Sequence, residues 1–476
     1  MSVYPKNSFI SNTVRVNHVI LTNYKGQTLD ITNLILGIDI YENIYANALT
    51  GTIDVIDAND LIEFFPIIGE ETIHIDIILP GFSDDSNFIL DGYRIYKITD
   101  REVNNDKAQV YKLWFTSPEA IVNLEKKVSK AWYEKNTKDM VKEVFALLGS
   151  KKAFEIEDTV GVHNYISTNL APFQVLNYLA SHRSIDSHKL SDFMFFESFD
   201  LAKKTTKFNF KSLGYLSQLQ SSIATFTYRP VVVDNPQGYA GNIQPYNVEN
   251  ITFKKGFNVI ESKLKGLYNQ TFVYYDMLRK KYVVQKSTYD DVFNESKDMR
   301  IEGASSSKPF SHNTGAYGEN VTVVHTTSFP SRVSNSKDMS NVNNRGMEIK
   351  AGRGTNTYIA KTGLSSDKTS TLLEETLYRR KVLLSEFENN TIQLNDISGN
   401  YSYTVGAVIE FEKPHLRLDK NNAIEASSDN YDIFISGRYL ITKSRHHIRR
   451  GERLNWLYKN YLEVSKNTIK NNLSKA

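Results

Sequence analysis

Thr52-Ile53-Asp54-Val55-Ile56-Asp57 and, near the far end of the chain, Thr391-Ile392-Gln393-Leu394-Asn395-Asp396 share the pattern T-I-x-Φ-x-D, a match that decides the fold. Each hexapeptide alternates apolar and polar positions, the period of a strand with one buried face. Twelve residues after Asp57 comes Gly69, and ten after Asp396 comes Gly406; each leads into an amphipathic strand, Thr72–Leu79 in one place and Ala407–Phe411 in the other. Farther on, Tyr93-Arg94-Ile95-Tyr96-Lys97 matches Tyr439-Leu440-Ile441-Thr442-Lys443 as Y-x-I-x-K, and each opens a long final hairpin. Matches that recur in the same order describe one antiparallel β module present twice. Three such chains around an axis would present six similar modules, a ring of threefold symmetry that looks sixfold.

Working outward from the first copy, strands are expected at Val14–Thr22, Leu34–Tyr45, Thr50–Asp57, Thr72–Leu79, Phe88–Thr99 and Gln109–Thr116. Turn signals such as Asp57-Ala58-Asn59-Asp60 and Pro80-Gly81 separate them, which favours an antiparallel barrel or sandwich over residues 1–120. The period then changes. Thr137–Leu148 reads as a helix with Met140, Val141, Val144, Leu147 and Leu148 on one face, Asn136 or Thr137 as its cap and Gly149 as its stop. Pro172 opens a second helix with a Phe173, Leu176, Leu179, Ala180 stripe, and β-like Asp192–Glu197 and Lys207–Lys211 complete a mixed α+β domain over 121–229.

Residues 230–290 read as an extended connection, Pro230–Glu249, followed by a hairpin of Leu267–Tyr275 and Lys281–Lys286 that begins the second module. Residues 291–366 are polar and loop-rich, with only Val321–Thr326 β-like, and read as an insertion. Over 367–465 a helix, Asp367–Glu388, presents Leu373, Leu377, Leu384 and Phe387 and an i,i+4 pair of Glu375 and Arg379. The strands Thr391–Asp396, Tyr403–Phe411, Tyr431–Thr442 and Arg453–Leu462 close the module, and 466–476 is a polar tail. The fold class is α+β, mainly β: two β barrels, a mixed domain and an insertion.

The 476 residues carry 57 Lys+Arg against 54 Asp+Glu, a net charge of +3 that excludes a dedicated nucleic-acid binder held by phosphate neutralisation. Cysteine is absent, which removes disulfides, thiolate metal sites and thiol nucleophiles and fits assembly in a reducing cytoplasm. Neither a signal-peptide pattern nor an 18-residue apolar run occurs, so no classical secretion and no membrane insertion are expected.

Ten scattered histidines form no metal-ligand spacing, and the adjacent His446-His447 lie in a strand where neighbours point to opposite faces. No nucleophile elbow or phosphate loop is present; Gly352-Arg353-Gly354 lies in a Ser/Asn-rich loop with no strand before it. No cofactor is therefore implied. The paired carboxylates Glu70-Glu71 and Glu374-Glu375 read as solvated surface and not as a glycosidase pair. Lys443–Arg453 is the one local basic cluster, with Arg445, His447 and Arg449 on one side of the strand and His446, Ile448 and Arg450 on the other. Two readings stay open for it: a charged hairpin tip that discourages edge aggregation, or a docking patch for an acidic partner.

Three segments carry a family resemblance: Tyr93–Phe115 running into Ser117–Glu125; Ala171–Ala180 followed by Phe193–Glu197; and helix Leu372–Glu388 leading to Thr391–Asp396, Thr404–Phe411 and Gly437–His446. Their order resembles the central baseplate hub protein of contractile-tailed bacteriophages and, more distantly, the hub portion of the valine-glycine-repeat spike proteins of type VI secretion. The resemblance implies two tail-tube-like barrels and a non-enzymatic homotrimer in the virion baseplate. It implies as partners the tail tube protein, the central spike protein and baseplate wedge proteins, with DNA passing through the bore unbound. The chain ends within about a dozen residues of its last strand, so spike and hydrolase are expected on separate chains. The alternatives are a tail-tip peptidoglycan or polysaccharide hydrolase, and a sugar-binding tail protein that the 12% aromatic content allows.

Overall fold

The computed structural model describes residues 13–58, 61–65, 67–78, 87–104, 108–218, 223–228, 246–255, 258–264, 267–276, 281–289, 292, 321–325, 373–414, 431–432, 434–451 and 455–467. The expected insertion, apart from 292 and 321–325, and most of the Pro230–Glu249 connection lie outside the described residues.

The first part of the chain forms β1 (Thr13–Thr22), β2 (Thr28–Asp30), β3 (Ile35–Asn43), β4 (Thr50–Asp57), a one-turn helix α1 (Leu61–Phe64), β5 (Thr72–Ile78), β6 (Asn87–Asn104) and β7 (Ala108–Thr116). Alternation sets their faces: along β4, Ile53 and Val55 are fully buried while Asp54 and Ile56 point out. The middle part forms α2 (Pro118–Glu125), β8 (Val128–Asn136), α3 (Thr137–Ala146), β9 (Ala153–Ile156), β10 (Val162–Leu170), α4 (Pro172–His182), β11 (Phe193–Asp200), β12 (Thr205–Ser212) and α5 (Leu213–Ser217). Asn136 caps α3, its side chain accepting from the Lys138 N–H. Pro172 opens α4.

Next come β13 (Thr225–Tyr228), β14 (Asn247–Val248), β15 (Asn250–Lys255), α6 (Val259–Leu264), β16 (Asn269–Asp276), β17 (Lys281–Thr288) and β18 (Val321–His325). The chain closes with α7 (Leu373–Asn389), β19 (Thr391–Ser398), β20 (Val408–Glu412), β21 (Gly437–Arg450) and β22 (Trp456–Ser465). The protein is thus mainly β with several sheets.

One 14-stranded sheet dominates, in the order β14-β13-β20-β21-β3-β4-β7-β6-β5-β1-β22-β19-β15, with β2 on β1 and an added pairing of β21 with β22. The repeat read from sequence is visible in this order. The run β3-β4-β7-β6-β5 recurs as β15-β19-β22-β21-β20, antiparallel at every step. Its details recur as well. Each Y-x-I-x-K motif carries a bulge at the same place, between Ile95 and Lys97 and between Ile441 and Lys443. Each central isoleucine donates its N–H to the residue just before the neighbouring strand, Ile95 to Glu71 at 3.0 Å and Ile441 to Ala407 at 2.9 Å. Gly69 and Gly406 both take left-handed backbone, φ 99° and 85°, where a Cβ would be strained.

Two apolar cores lie against this sheet, one around Ile38, Ile53, Leu113 and Phe115, the other around Leu394, Phe411, Ile441 and Leu462. The copies are not separate bodies. β21 pairs with β20 through Gly437–Leu440 and then, past its bulge, with β3 through Lys443–Arg449, so one hairpin serves both.

Several expectations shift. The β16–β17 hairpin forms, but it joins β18 in a separate three-stranded sheet, because β15 takes the position beside β19. The sequence missed β15, and also β8 and β10, which pair with each other. On α7 the buried face is Tyr378, Val382, Leu383 and Phe387, with Leu377 and Leu384 only partly covered. The side chains of Leu373, Glu374 and Glu375 lie outside the described residues. Lys466 and Asn467, expected in the polar tail, are buried, with Lys466 Nζ donating to the Ser436 carbonyl at 3.0 Å.

Candidate functional site

Where the modules meet, carboxylates sit inside apolar strands. Glu197 lies in Phe193-Met194-Phe195-Phe196-Glu197, a strand whose residues are nearly all buried. Its Oε2 accepts from the Leu49 N–H (2.8 Å) and from Ser117 Oγ, and its Oε1 from Tyr93 Oη (3.0 Å), Thr206 Oγ1 (2.7 Å) and Lys152 Nζ (2.7 Å). Lys152 also donates to Glu119 Oε2 at 2.9 Å and lies 4.7 Å above the Tyr93 ring. Leu49, Tyr93 and Ser117 belong to the first module and the other partners to the middle part, so the pair rivets one to the other. Burial alone would lift the Glu197 carboxyl, but the Lys152 charge and the donated hydrogen bonds outweigh it and hold the group below the usual carboxylate range.

A second junction joins three parts. Glu42, at the end of β3, accepts at Oε2 from the Phe199 N–H of β11 (3.0 Å) and from Thr404 Oγ1 ahead of β20 (2.5 Å). Its Oε1 lies 2.7 Å from His446 Nε2 on β21. His446 Nδ1 faces Asn460 Nδ2 (3.0 Å) and Tyr458 Oη (2.7 Å). Asn460 is oriented by the Asn400 N–H, which donates to its Oδ1 at 2.6 Å, so its amide nitrogen must be the donor to Nδ1. With Nδ1 facing that amide donor, the Nε2 proton is directed at Glu42. Phe199 stacks on the imidazole at 4.5 Å. Ser444 Oγ, 3.2 Å from Nε2, completes a serine-histidine-glutamate constellation, but all three are at most 2% exposed, so no substrate reaches them. Its role is to hold strands.

Arg445, His447 and Arg449 do share one side of β21, as alternation requires. They lie within the sheet, between β3 and β22. Arg445 grips Asp39 in bidentate fashion (3.0 and 3.0 Å), His447 Nδ1 lies 2.5 Å from the same carboxylate, and Arg449 pairs with Asp54. Burial alone would raise Asp39; His447 and Arg445 outweigh it and hold its carboxyl below the ordinary range. The band continues both ways, through Lys459 to Asp396 (2.9 Å) and through Lys112 to Asp54 (3.8 Å) and Asp100 (3.2 Å). Four cations alternate with four carboxylates, so this face is charge-balanced.

Of the expected solvated pair, Glu70 is exposed but Glu71 is not: it is fully buried, and its carboxylate accepts from the Ile68 and Gly69 N–H groups (2.8 and 2.9 Å). That turn leaves two backbone donors without strand partners, which draws the carboxylate inward. Among the described residues no group of three or more His, Asp or Glu could hold a metal ion, and no helix is long and apolar enough to cross a membrane.

A cleft of about 540 Å³ is lined by Glu155, Glu157, Asp186, His188 and Lys211, among others. Burial lifts Glu157 to about 7, with Asp186 and Asp192 adding to the rise. Both its oxygens accept from Ser212, one from the N–H and hydroxyl and the other from the hydroxyl, while Glu155 is paired with Lys207 and Lys211. Each carboxylate is thereby occupied by a partner within the chain.

Nearby, His163 of β10 is 9% exposed, and burial together with Arg183 lowers it to about 4. Its folded pKa lies below the ordinary imidazole value of 6.5, so between those limits the folded state binds fewer protons than the unfolded one. Stability contributed there is present above pH 6.5 and lost as pH falls towards 4, by about 3 kcal/mol. His163→Gln is expected to flatten that stretch of the stability profile in denaturant titrations across the range.

Sequence reasoning missed Glu42, Glu71, Glu197 and Lys152. A single carboxylate at an inward-facing phase of an apolar run, as in Ile38–Glu42 or Phe193–Glu197, is the signal that could have found the first and third. Lys152 carries none.

No family model matches the chain, and no curated protein matches its sequence. Solved structures similar to it include tail proteins and a chain of a PdpA-VgrG complex. A tail protein from Neisseria meningitidis MC58 is 9% identical over 94% of this chain and 96% of its own, with a TM-score of 0.45. The 43 kDa tail protein of prophage MuSo2 from Shewanella oneidensis is 8% identical over 94% and 98%, with a TM-score of 0.48. A chain of the Francisella PdpA-VgrG complex is 10% identical over 97% of this chain but only 53% of its own, with a TM-score of 0.45.

Proposed function

We propose that this chain is a non-enzymatic baseplate hub of a contractile phage tail, built from two tube-like β barrels that share the β21–β22 hairpin. The recurrence of β3-β4-β7-β6-β5 as β15-β19-β22-β21-β20, with matching bulges, is the observation that carries it. In the first barrel the pairing runs from β21 through β3, β4, β7, β6, β5 and β1 to β22 and back to β21. In the second, the stretch β14–β15 bonds β13 with its first half and β19 with its second. Closure leaves neither circuit a terminal strand, which is what a barrel gains over an open sheet.

Three copies then give a six-module ring that meets a sixfold tube on one side and a threefold spike on the other. The strands of the charge-balanced band bury their other face in the cores, which leaves the band for the bore. Its cations are already neutralised, so Arg445, His447 and Arg449 would let DNA pass without holding its phosphates.

Mass measurement in solution tests this, alone and with tube protein. A trimer is expected. A chain that stays monomeric at high concentration and with tube protein present would sink the reading, and cell-wall clearing in zymograms that one carboxylate substitution abolishes would favour the hydrolase instead.

A further inference from the structure

Arg183, the half-buried residue that follows α4, carries a charge that nothing among the described residues answers. Its main chain is fixed: the N–H donates to the Leu179 carbonyl at 3.0 Å, and the carbonyl accepts from Thr137 Oγ1 of α3 at 2.7 Å. Its guanidinium, among the described residues, makes no hydrogen bond and no ion pair, and Nε is buried without a partner. A cation at a helix C-terminus ordinarily serves the last carbonyls. Here those are already taken, Asn177 and Tyr178 by Ser181 Oγ, Leu179 by Ser184 Oγ and Ala180 by Arg380. The Arg183 side chain is therefore not a cap.

Two imidazoles share its surroundings. His163 Nε2 on β10 is likewise buried without a partner. His182, the residue before Arg183, ends a stack of rings that runs across β8, β10 and α4: Trp132 on Tyr165 at 5.7 Å, Tyr165 on Tyr178 at 4.9 Å and Tyr178 on His182 at 4.4 Å. That stack fixes the ring in place before any ligand arrives. The charges acting on both imidazoles are positive. Burial and then Arg183 hold His163 down to about 4. Burial lowers His182 as well; a hydrogen bond to the Tyr178 backbone opposes the fall, and Arg183 and Arg380 add to it. Among the described residues no carboxylate acts on either ring. Across the strand pair, Lys135 stands opposite His163 but is engaged by Glu143 of α3.

We infer that Arg183 and His163, with His182 beside them, bind a small oxyanion, a carboxylate or a phosphate group. A guanidinium presents a fork of N–H donors that matches the paired oxygens of either group, and an imidazole N–H adds a further donor. Gathered positive charge with no anion of its own, next to a buried polar atom with no partner, is the arrangement that such a ligand relieves. The ligand also weakens the repulsion that Arg183 exerts on both rings, so anion binding and imidazole protonation favour one another. The inference goes beyond the hub reading and stands or falls without it. A free anion and an acidic side chain of a partner offer the same chemistry.

Histidine-selective NMR on the full chain tests the site, with the His163 signal assigned by its loss in His163→Gln. In chloride at constant ionic strength the ring should stay largely neutral down to pH 5. Sulfate, which keeps its full charge over this range, is expected to raise the His163 pKa by about one pH unit, so that the protonated share at pH 5 climbs from about a tenth to about a half. Acetate is titrated in parallel at the same ionic strength. A stronger response to sulfate identifies a phosphate-like ligand, and a stronger response to acetate an acidic side chain. Arg183→Met is expected to raise His163 in chloride, because a like charge has gone, and to abolish the response to both anions. Arg183→Lys keeps the charge without the fork and should retain a weakened response. A His163 that titrates alike in chloride, sulfate and acetate, or that responds equally in Arg183→Met, overturns the site.

Discussion

Glu197→Ala is expected to lower the unfolding free energy by about 4 kcal/mol, among the largest effects a single change can have here. The reason is what it leaves behind. Lys152, 12% exposed, keeps one carboxylate partner where it had two, and the Leu49 N–H, Ser117, Tyr93 and Thr206 lose a common acceptor in a site water does not reach. Glu197→Gln does not repair this, because half of its amide presents donors to donors. The decisive comparison is the pair Glu197→Leu with Lys152→Met, which removes both charges together. That double variant is expected to regain only part of the loss in denaturant titrations: the stranded Lys152 charge is gone, but the Leu49 N–H, Ser117, Tyr93 and Thr206 still lack their acceptor and buried Glu119 loses its Lys152 partner. If the double variant is as unstable as Glu197→Ala, the lost acceptor and not the stranded charge is the cause.

The second large effect is expected at Glu42. Glu42→Ala removes the acceptor for the Phe199 N–H, Thr404 and His446 together and is expected to cost about 4 kcal/mol. Glu42→Gln is expected to remain costly for a reason specific to this site. Its carbonyl can still serve Phe199 and Thr404, but its amide N–H then meets the proton on His446 Nε2. Moving that proton to Nδ1 turns it towards Tyr458 Oη but takes the acceptor from the Asn460 amide, whose orientation Asn400 fixes. No arrangement satisfies every group. Amide hydrogen exchange should report the loss first at Phe199, where β11 leaves the other modules, and then across β21. Unchanged protection at Phe199 in Glu42→Ala would show that the junction does not couple the three parts.

What the sequence revealed follows from where burial is one-sided. The strands of the first module were readable because Ile53, Val55, Ile73 and Ile75 alternate with polar neighbours. β8 and β10 were not, since Lys130, Lys135 and other polar residues interrupt their alternation. The face of α7 was misplaced because that helix packs on more than one neighbour: Tyr378 and Leu383 join a small core with Leu190, Tyr268 and Tyr289, and Arg380 reaches the Ser191 and Phe193 carbonyls. Arg445, His447 and Arg449 read as a surplus of positive charge because Asp39 and Asp54 lie about four hundred positions away in the chain, beyond anything local spacing can reveal. The buried carboxylates were legible only as anomalies, and the partners that explain them come from other modules.

The shared hairpin also dictates when the protein can become itself. β3 is made early, yet the strand that covers its edge, β21, and the strand that meets β1, β22, leave the ribosome among the last residues described. At about 5–20 residues per second the interval is on the order of tens of seconds. Through that time the nascent first half carries an uncovered strand edge, the condition in which like chains pair wrongly with one another. Folding of the first half is therefore a post-synthetic event, and a chain cut short before β21 forfeits not its last module but both.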